Sequence, residues 1–433
     1  MANATVSERQ LRNLQALLDV SKAMGHEVHL DNLLALILDK ATEVMEADRS
    51  SLFLYDPDTN ELWSKIAQGM TTHEIRFPVG LGIAGDVAKT MTPSNIHDAY
   101  DDPRFNKEFD IKSNYRTKSV LCLPMIGHNS ELVGVIQVLN KQSTDVFDKI
   151  DEDLLAALGA HAGVALQRAL LIESFVEKEK LEETLKLANE IQMSMVPKKF
   201  PPFPHKKHLI DIHASIEPAK DVGGDLYAFE LLDDDHLAFA IGDVSGKGVP
   251  AALFMAIATT FLKAIADKDL CPSDTLIKLN DFLSTDNEAD MFVTFVYGIL
   301  DINTGHIAYS NGGHNPIYIL RTDGSFDILA KPIGTALGVI GGLQFEPATA
   351  QLNKGDVLYL YTDGVNEAMN EEFEEYTYPR MEELLRGIYK KTAKEIVEAS
   401  VLSVKEFAGK APQSDDITLL TIRIPHEGEV EPE

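Results

Sequence analysis

The sequence predicts an α/β protein of two globular units joined by a helix, and three observations carry this. Between Ser50 and Asn140, short apolar runs such as SSLFLYD and LVGVIQVLN alternate with turn residues and helical stretches. From Val164 to Val196 there is neither Gly nor Pro, and Pro197 and the Pro201-Pro202-Phe203-Pro204 cluster then stop the run. Beyond the prolines, β-branched and aromatic runs are interleaved with helical stretches at 250–266, 272–284 and after 379. That order suggests stacked sheets with covering helices rather than a strict βαβ repeat.

Taken in order, residues 11–46 read as amphipathic helix, with Leu11, Leu14, Leu17 and Leu18, then Leu33, Leu34, Ile37 and Leu38, at helical spacing. The strands that follow build a sensor-sized α/β unit. In the long helix, Leu181, Leu185, Ala188 and Met195 form a short coiled-coil seam flanked by Glu and Lys. This segment is expected to be a dimer-forming connector, the alternative being a helix that lies on its own domain. After it, HLIDIHASIEP, YAFELLDDDHLAFAIGD, MFVTFVYGILDINTGHIAYSNGGHNPIYILR and VLYLYTDG read as strands broken by turns.

Bulk properties narrow the function. At 433 residues the chain has room for two cores, and 45% hydrophobic with 25% charged residues is ordinary for a globular protein. A net charge of −29 disfavours nonspecific binding to nucleic acid or to an anionic membrane. No uncharged apolar run reaches the length of a membrane span, and MANATVSERQLRNLQ lacks the basic and apolar regions of a signal peptide. Cys122 and Cys271, the two cysteines, lie far apart, which excludes a cysteine-based zinc site and suits a reducing cytoplasm.

The stretch IGDVSGKGVPAALFMA (Ile241–Ala256) invites a phosphate-loop reading and fails it twice. Gly248 stands where a Mg²⁺-binding Ser or Thr is needed after the lysine, and Gly242 is one residue too close to Gly246. What remains is an aspartate at a strand end, a flexible turn, and a helix opening near Pro250. Three further acidic turns share this character: VGGD (Asp225), YTDGV (Asp363) and SDDIT (Asp415, Asp416). One Asp-Gly alone is a turn signal. Four strand-end carboxylates without a matching His or Cys set suit hard divalent cations, and two such ions can clamp a phosphoryl group. A serine hydrolase fits poorly, because no G-x-S-x-G elbow is present.

In order, PAKDVGGDLYAF, GDVSGKGVPAALFMA, NGGHNP, PIGTALGV, YTDGVNEA and SDDITLL resemble PPM-type serine/threonine phosphatases of the bacterial RsbU and sporulation-phosphatase branch. ANEIQMSMVPKKFP resembles that branch's entry segment, so the likeness covers about residues 188–424. The resemblance implies an α/β/β/α sandwich with two Mn²⁺ or Mg²⁺ ions between the sheets. It implies that Asp225 binds one metal, that Asp243 bridges both with help from the Val244 carbonyl, and that Asp363 and Asp415 hold the other. Asp416 stands where relatives often carry Asn and is expected to support the ligands from behind. The implied chemistry is direct attack of a metal-activated water on phosphoserine or phosphothreonine, without a phosphoenzyme. Lys220 and Lys247 are expected to be solvated loop residues, with a part in holding phosphate as the alternative. His314, in an Asn-Gly-Gly-His turn, is expected to serve the hairpin rather than the chemistry.

Residues 25–170 resemble a GAF domain through DRSSLFLYD, FPVGLGIAGDVAKT, NIHDAYDDPRFNKEFD, NYRTKSVLCLPM and GVIQVLNK. In NKQSTDVFDKIDED, Asn140-Lys141, Phe147 and Asp151-Glu152 fit the N-K…F-x-x-x-D-E signature of GAF domains that bind cyclic nucleotides, where the Lys and Asp close the fold around the pocket. The bland alternative is a surface ion pair worth little energy. The resemblance places Ser51, Ile83, Ala84, Asn106, Asp110, Ser113, Thr117 and Gln137 at the ligand, with cAMP ahead of cGMP. Backbone N–H groups of GIAG, before a helix, suit the cyclic phosphate. SNYRT departs from the family's Thr-Gly before the aromatic, although Asn also tolerates a left-handed turn.

The combined expectation is a GAF-like sensor (1–163), a helical connector (164–196), a PPM-type phosphatase domain (197–425) and an acidic tail (426–433). Such a chain would be a cytoplasmic homodimer that binds neither nucleic acid nor membrane. Family analogy gives it a phosphorylated anti-anti-sigma-type protein as substrate. The competing readings are a non-catalytic ligand-responsive scaffold, which retention of the metal aspartates disfavours, and a cyclic-nucleotide hydrolase, which the lack of a clustered His/Asp motif disfavours.

Overall fold

The computed structural model describes residues 2–64, 75–113, 115–200, 202–206, 208–329 and 334–426. It divides into two compact units, Met1–Leu181 and Glu182–Glu433. The division falls inside a helix, not at its end.

The N-terminal unit opens with helices α1 (Ala2–His26) and α2 (Leu30–Val44). Strands β1 (Ala47–Asp56), β2 (Glu61–Ser64) and β3 (Ile75–Pro78) follow, then helix α3 (Gly82–Thr90), strand β4 (Ser94–Ile96) and helix α4 (Lys107–Ser113). The unit continues with β5 (Val120–Ile126), β6 (Leu132–Lys141) and the long helix α5 (Lys149–Met195). The six strands form one antiparallel sheet in the order β3-β2-β1-β6-β5-β4. Alternation along the strands separates two cores. Leu52, Leu54, Leu121, Leu123, Ile136 and Val138 face α1, α2 and α5, with Leu33, Ile37, Leu38, Leu155 and Leu158 packed on them. Phe53, Val120, Cys122 and Val135 face the other way, onto Ile83, Ala84, Val87 and Ala88 of α3.

Helix α5 serves this unit first. Leu154, Leu155, Leu158, Ala162, Leu166 and Ala169 are buried in its core, and Arg168 donates to the Met24, Gly25 and Glu27 carbonyls at the end of α1. By length and composition alone α5 is apolar enough to cross a membrane. Leu171, Ile172, Phe175, Val176 and Leu181 then lie exposed. Past residue 181 the helix belongs to the C-terminal unit, where Gln192 and Val196 are buried. Of the seam positions, Leu181 is exposed while Leu185, Ala188 and Met195 are half-buried.

The C-terminal unit stacks two five-stranded antiparallel sheets. Its elements are β7 (Asp211–Glu217), β8 (Leu226–Leu231), β9 (His236–Val244), α6 (Val249–Ile265), α7 (Pro272–Leu283), β10 (Val293–Asp301), β11 (His306–Gly312), β12 (Tyr318–Leu320) and β13 (Phe326–Ile328). Then come β14 (Ala348–Gln351), β15 (Val357–Tyr361), α8 (Asp363–Asn366), α9 (Thr377–Ile388), α10 (Ala393–Ala408) and β16 (Ile417–Arg423). One sheet runs β14-β11-β10-β9-β8 and the other β13-β12-β15-β16-β7. Leu358, Leu360, Leu420 and Ile422 point into the core between the sheets. Val357, Tyr359, Tyr361, Ile417 and Leu419 point outward onto α9 and α10. Strands β15 and β16 are therefore buried throughout, which is why VLYLY reads as an unbroken apolar run, while β16 buries Thr418, Thr421 and Arg423 among its apolar residues. Helices α6 and α7 cover the other sheet, giving four layers, helix–sheet–sheet–helix.

Candidate active site

All four acidic turns emerge at one end of the two sheets. Asp225 immediately precedes β8, Asp243 lies near the end of β9, Asp363 follows β15, and Asp415 and Asp416 precede β16. Pairing of Leu226 with Gly242 sets Asp225 beside Asp243 on neighbouring strands. On the facing sheet, Thr362 donates its N–H to the Thr418 carbonyl, which sets Asp363 beside the Asp415-Asp416 turn. Antiparallel pairing thus collects carboxylates that are nearly two hundred residues apart in sequence.

Close approach requires glycine in the VGGD turn. A Cβ on Gly223 would stand 2.3 Å from Asp416 Oδ2, and one on Gly224 would stand 2.9 Å from the Val244 carbonyl oxygen. Asp416 uses that space. Its Oδ1 accepts from Ala219 N at 2.7 Å, and its Oδ2 accepts from Gly224 N at 2.7 Å and from Asp225 N at 3.4 Å. Asp416 therefore fixes the turn that presents Asp225.

Electrostatics show what the cluster lacks. Burial, then the Asp243 and Asp416 carboxylates, push the Asp225 carboxyl well above the ordinary range, against opposing hydrogen bonds from Thr418 and Thr362. Burial, then Asp363 and Asp415, also raise Asp243. Asp363 is pushed up to about 6 by burial, then by Glu367 and Asp415, with the Gly364 N–H and Lys247 acting the other way. One buried and two half-buried acids, each raised by burial and by neighbouring carboxylates, suit cations, and the donors are the hard carboxylate oxygens that Mn²⁺ and Mg²⁺ favour. The donor chemistry fits divalent metal. Among the described residues no three His, Cys, Asp or Glu side chains stand close enough together to hold an ion by themselves.

Several residues at this site escape sequence reasoning. Thr362, fully buried, donates to Asp225 Oδ2 at 2.7 Å and accepts from Thr418 N at 3.0 Å, tying the first sheet's acid to the second sheet. Gln192, on the last turn of α5, donates its amide to the Gly223 carbonyl and accepts from Gly223 N at 3.2 Å. Asn189 reaches the neighbouring Asp221 carbonyl. A Thr before an Asp reads only as a strand residue, and Gln in a polar helix reads only as surface.

The remaining candidates fall as follows. His314 is buried; its N–H donates to Asn311 Oδ1 at 2.7 Å, which shapes the turn. Its ring contacts Thr294 Oγ1 at 2.8 Å and the Tyr361 carbonyl at 3.1 Å, bridging the two sheets beside Asp243 and Asp363. Lys220 is exposed, and Lys247 pairs with Asp415 at 2.8 Å.

In the N-terminal unit, Ser51 and Gln137 are register partners on the sheet face that carries α3, where Ile83 and Ala84 are buried. Helix α3 begins at Gly82, and Leu81 before it makes no side-chain cap. Asp110 and Thr117 are buried against each other, with Thr117 N at 2.7 Å and Thr117 Oγ1 at 2.8 Å from the carboxylate. Asn106 is exposed and accepts from Glu108 N at the start of α4, while the side chain of Ser113 lies outside the described residues. Lys141 is buried and donates to Asp151 at 3.1 Å and to the Met45 carbonyl at 2.8 Å, so the pair is not a surface one. Asn140 bonds to Lys118 N, the Arg116 carbonyl and the Tyr115 hydroxyl, and Asn95 reaches Phe147 and Glu152.

Comparison with known proteins assigns the fold. Residues 233–425 match the family described as Stage II sporulation protein E (SpoIIE), and residues 29–166 match the GAF domain. Phosphoserine phosphatase RsbU of Bacillus subtilis is 30% identical over 292 residues, a stretch covering 64% of this chain and 80% of RsbU. The chain belongs to the RsbU/SpoIIE family of protein phosphatases. Its C-terminal unit is a serine/threonine phosphatase domain of the PPM type, and its N-terminal unit is a GAF domain. Protein IcfG of Synechocystis is 30% identical over 271 residues, covering 55% of this chain and 41% of IcfG, so the phosphatase spans less than half of that relative's length. The dual 3',5'-cyclic-AMP and -GMP phosphodiesterase 11 of Drosophila melanogaster is 34% identical over 200 residues, covering 42% of this chain and 14% of that protein. The SiaA-PP2C domain of Pseudomonas aeruginosa shares the fold, with a TM-score of 0.50 and 23% identity, over 57% of this chain and 98% of that domain.

Proposed function

We propose that this phosphatase uses two Mn²⁺ or Mg²⁺ ions to hydrolyse phosphoserine or phosphothreonine on a protein partner. The observation that carries the reading is the convergence of Asp225, Asp243, Asp363 and Asp415 at one end of the sandwich, where burial and neighbouring carboxylates raise the first three and Lys247 pairs with the fourth. Asp225 and Asp243 would hold one ion, with Asp243 bridging, helped by the Val244 carbonyl, to a second held by Asp363 and Asp415. The bound ions supply electrophilic clamping of the phosphoryl oxygens and acidification of water. The chain's own part is orientation: Thr362 and Asp416 fix Asp225, and His314 ties Thr294 to Tyr361 so that the two sheets keep their spacing. An anti-anti-sigma-type phosphoprotein is the proposed substrate and the cytoplasm the proposed setting, supported by the relation to RsbU. The test is release of phosphate from a phosphoserine protein with Mn²⁺ and with EDTA; activity that persists in EDTA contradicts it.

The GAF domain is proposed to bind cAMP or cGMP over the sheet face that carries Ser51, Gln137, Ile83 and Ala84, supported by the buried Lys141–Asp151 lock. Helix α5 is the proposed route from ligand to catalysis. Its exposed Leu171, Phe175 and Leu181 suit a second copy of the chain, and its last turn is bonded to the peptide of Gly223, two residues from Asp225. Polar substitution of Leu181 and Leu185 should weaken the dimer in sedimentation and uncouple nucleotide from activity, an allosteric coupling of about 1–3 kcal/mol.

A further inference from the structure

Lys247 is the cation that the acidic site already contains. It stands between Gly246 and Gly248, both at φ +81°, with nothing within 4 Å of where their Cβ atoms would be. Neither glycine is needed for space, so both are needed for the left-handed backbone that L-residues rarely adopt. The double turn brings the lysine across to the start of β16 in the facing sheet. There its ammonium meets Asp415 Oδ2 at 2.8 Å and donates to the Ser414 carbonyl. The other oxygen of Asp415 accepts from Asp416 N at 2.9 Å, so each oxygen already takes one contact from the chain itself. Lys247 also acts electrostatically on Asp363.

We propose that Lys247 is an internal counter-cation that competes with divalent metal for Asp415, so that the second ion enters only as the lysine leaves. The inference rests on the metal-dependent reading above. Lysine and ion would both draw on the Asp415 carboxylate, and removing the lysine also removes repulsion between its charge and the incoming cation. The lysine keeps Asp415 neutralised in the metal-free protein and sets the metal concentration at which the site fills. Once displaced, its ammonium is free beside a site that receives a phosphoryl anion.

The test is calorimetric titration of the full-length, EDTA-stripped protein with Mn²⁺. Lys247→Met should tighten the weaker Mn²⁺ step by about 5- to 20-fold, a fold-change in line with losing one partly exposed ion pair and one repelling charge. Lys247→Arg, which keeps the charge, should stay within about threefold of wild type. Lys220→Met, in the turn leading to Asp225, should change nothing. As an independent readout, acetylation of Lys247 by acetic anhydride, followed by mass spectrometry, should rise when Mn²⁺ is added. A Lys247→Met protein with unchanged or weaker Mn²⁺ affinity overturns the inference and leaves the metal reading standing. A wild-type protein that binds no Mn²⁺ overturns the metal reading and the inference with it.

Discussion

Each half of the molecule buries an aspartate almost completely, and the two are treated in opposite ways. In the GAF domain, Asp151 is sealed against Lys141, and its remaining oxygen accepts from Asp148 N at 3.0 Å. In the phosphatase domain, Asp225 is equally buried but faces Asp243 and Asp416, and Thr362 and Thr418 are its main compensation. A buried charge costs several kcal/mol unless paired. The first site has settled that cost within the chain, so it is a structural lock. The second has left it open at Asp225, with Lys247 pairing only Asp415 of the cluster, and these strand-end acids are the proposed place for external cations.

The largest expected effect comes from the open site. Asp243→Ala removes the carboxylate proposed to touch both ions and should lower kcat by at least about a thousandfold, roughly 4 kcal/mol of transition-state stabilisation. The fold should survive, because the substitution also relieves repulsion on Asp225. Steady-state assays with circular dichroism check both statements, and a variant with near-normal kcat breaks the contrast.

The closed site should respond the other way, in stability rather than turnover. Lys141→Met strands Asp151 and should cost about 3–5 kcal/mol in denaturant unfolding of the GAF transition. The double variant Lys141→Met/Asp151→Leu should recover most of that loss. If the single change is silent, the pair is ornamental and the comparison loses its first half.

Nucleotide binding sharpens the same half. With cAMP or cGMP at about 100 times its Kd, the GAF transition should gain about 2.7 kcal/mol, seen as a raised Tm. Unchanged melting at high concentrations of both nucleotides would leave a GAF domain whose lock is structural alone.

The smallest effect is in pH. Asp363 has a folded pKa of about 6, above the ordinary 3.8. The native state therefore holds this proton more tightly than the unfolded chain does, and stability falls as pH rises from about 4 to 6. Partial exposure discounts the effect to about 1–2 kcal/mol. Asp225 and Asp243 shift in the same direction and extend the decline upward. Asp363→Asn should flatten the slope of Tm against pH in EDTA, and saturating Mn²⁺ should flatten it in wild type; an equal slope in all three contradicts the assignment.

Both halves were partly legible in the chain itself. The four acidic turns stand out because each aspartate ends or starts an apolar strand beside a Gly or Ser, a local signal that needs no tertiary knowledge. The N-K…F-x-x-x-D-E pattern pointed to Lys141 and Asp151 for a similar reason, a fixed spacing across one strand and one helix. Thr362, Gln192 and the Lys247–Asp415 contact were not legible, because each acts through a partner between 31 and 168 residues away and carries no local pattern of its own. From Val164 on, the long helix was visible from its missing Gly and Pro, although it begins at Lys149 and carries Gly159 and Gly163. Its division between two compact units depends on which turns are buried, and sequence periodicity alone does not reveal that.

Direct measurement of Mn²⁺ stoichiometry tests the central claim, that the converging aspartates of the phosphatase domain are a site for divalent cations. Titrating the stripped full-length protein with Mn²⁺, and counting free ion by electron paramagnetic resonance, should give two saturable equivalents per chain. Asp243→Asn should lose at least one of them, while Lys141→Met, in the other domain, should keep both. Wild-type protein that takes up no Mn²⁺ saturably, or an Asp243→Asn protein that still takes up two equivalents, would contradict the account.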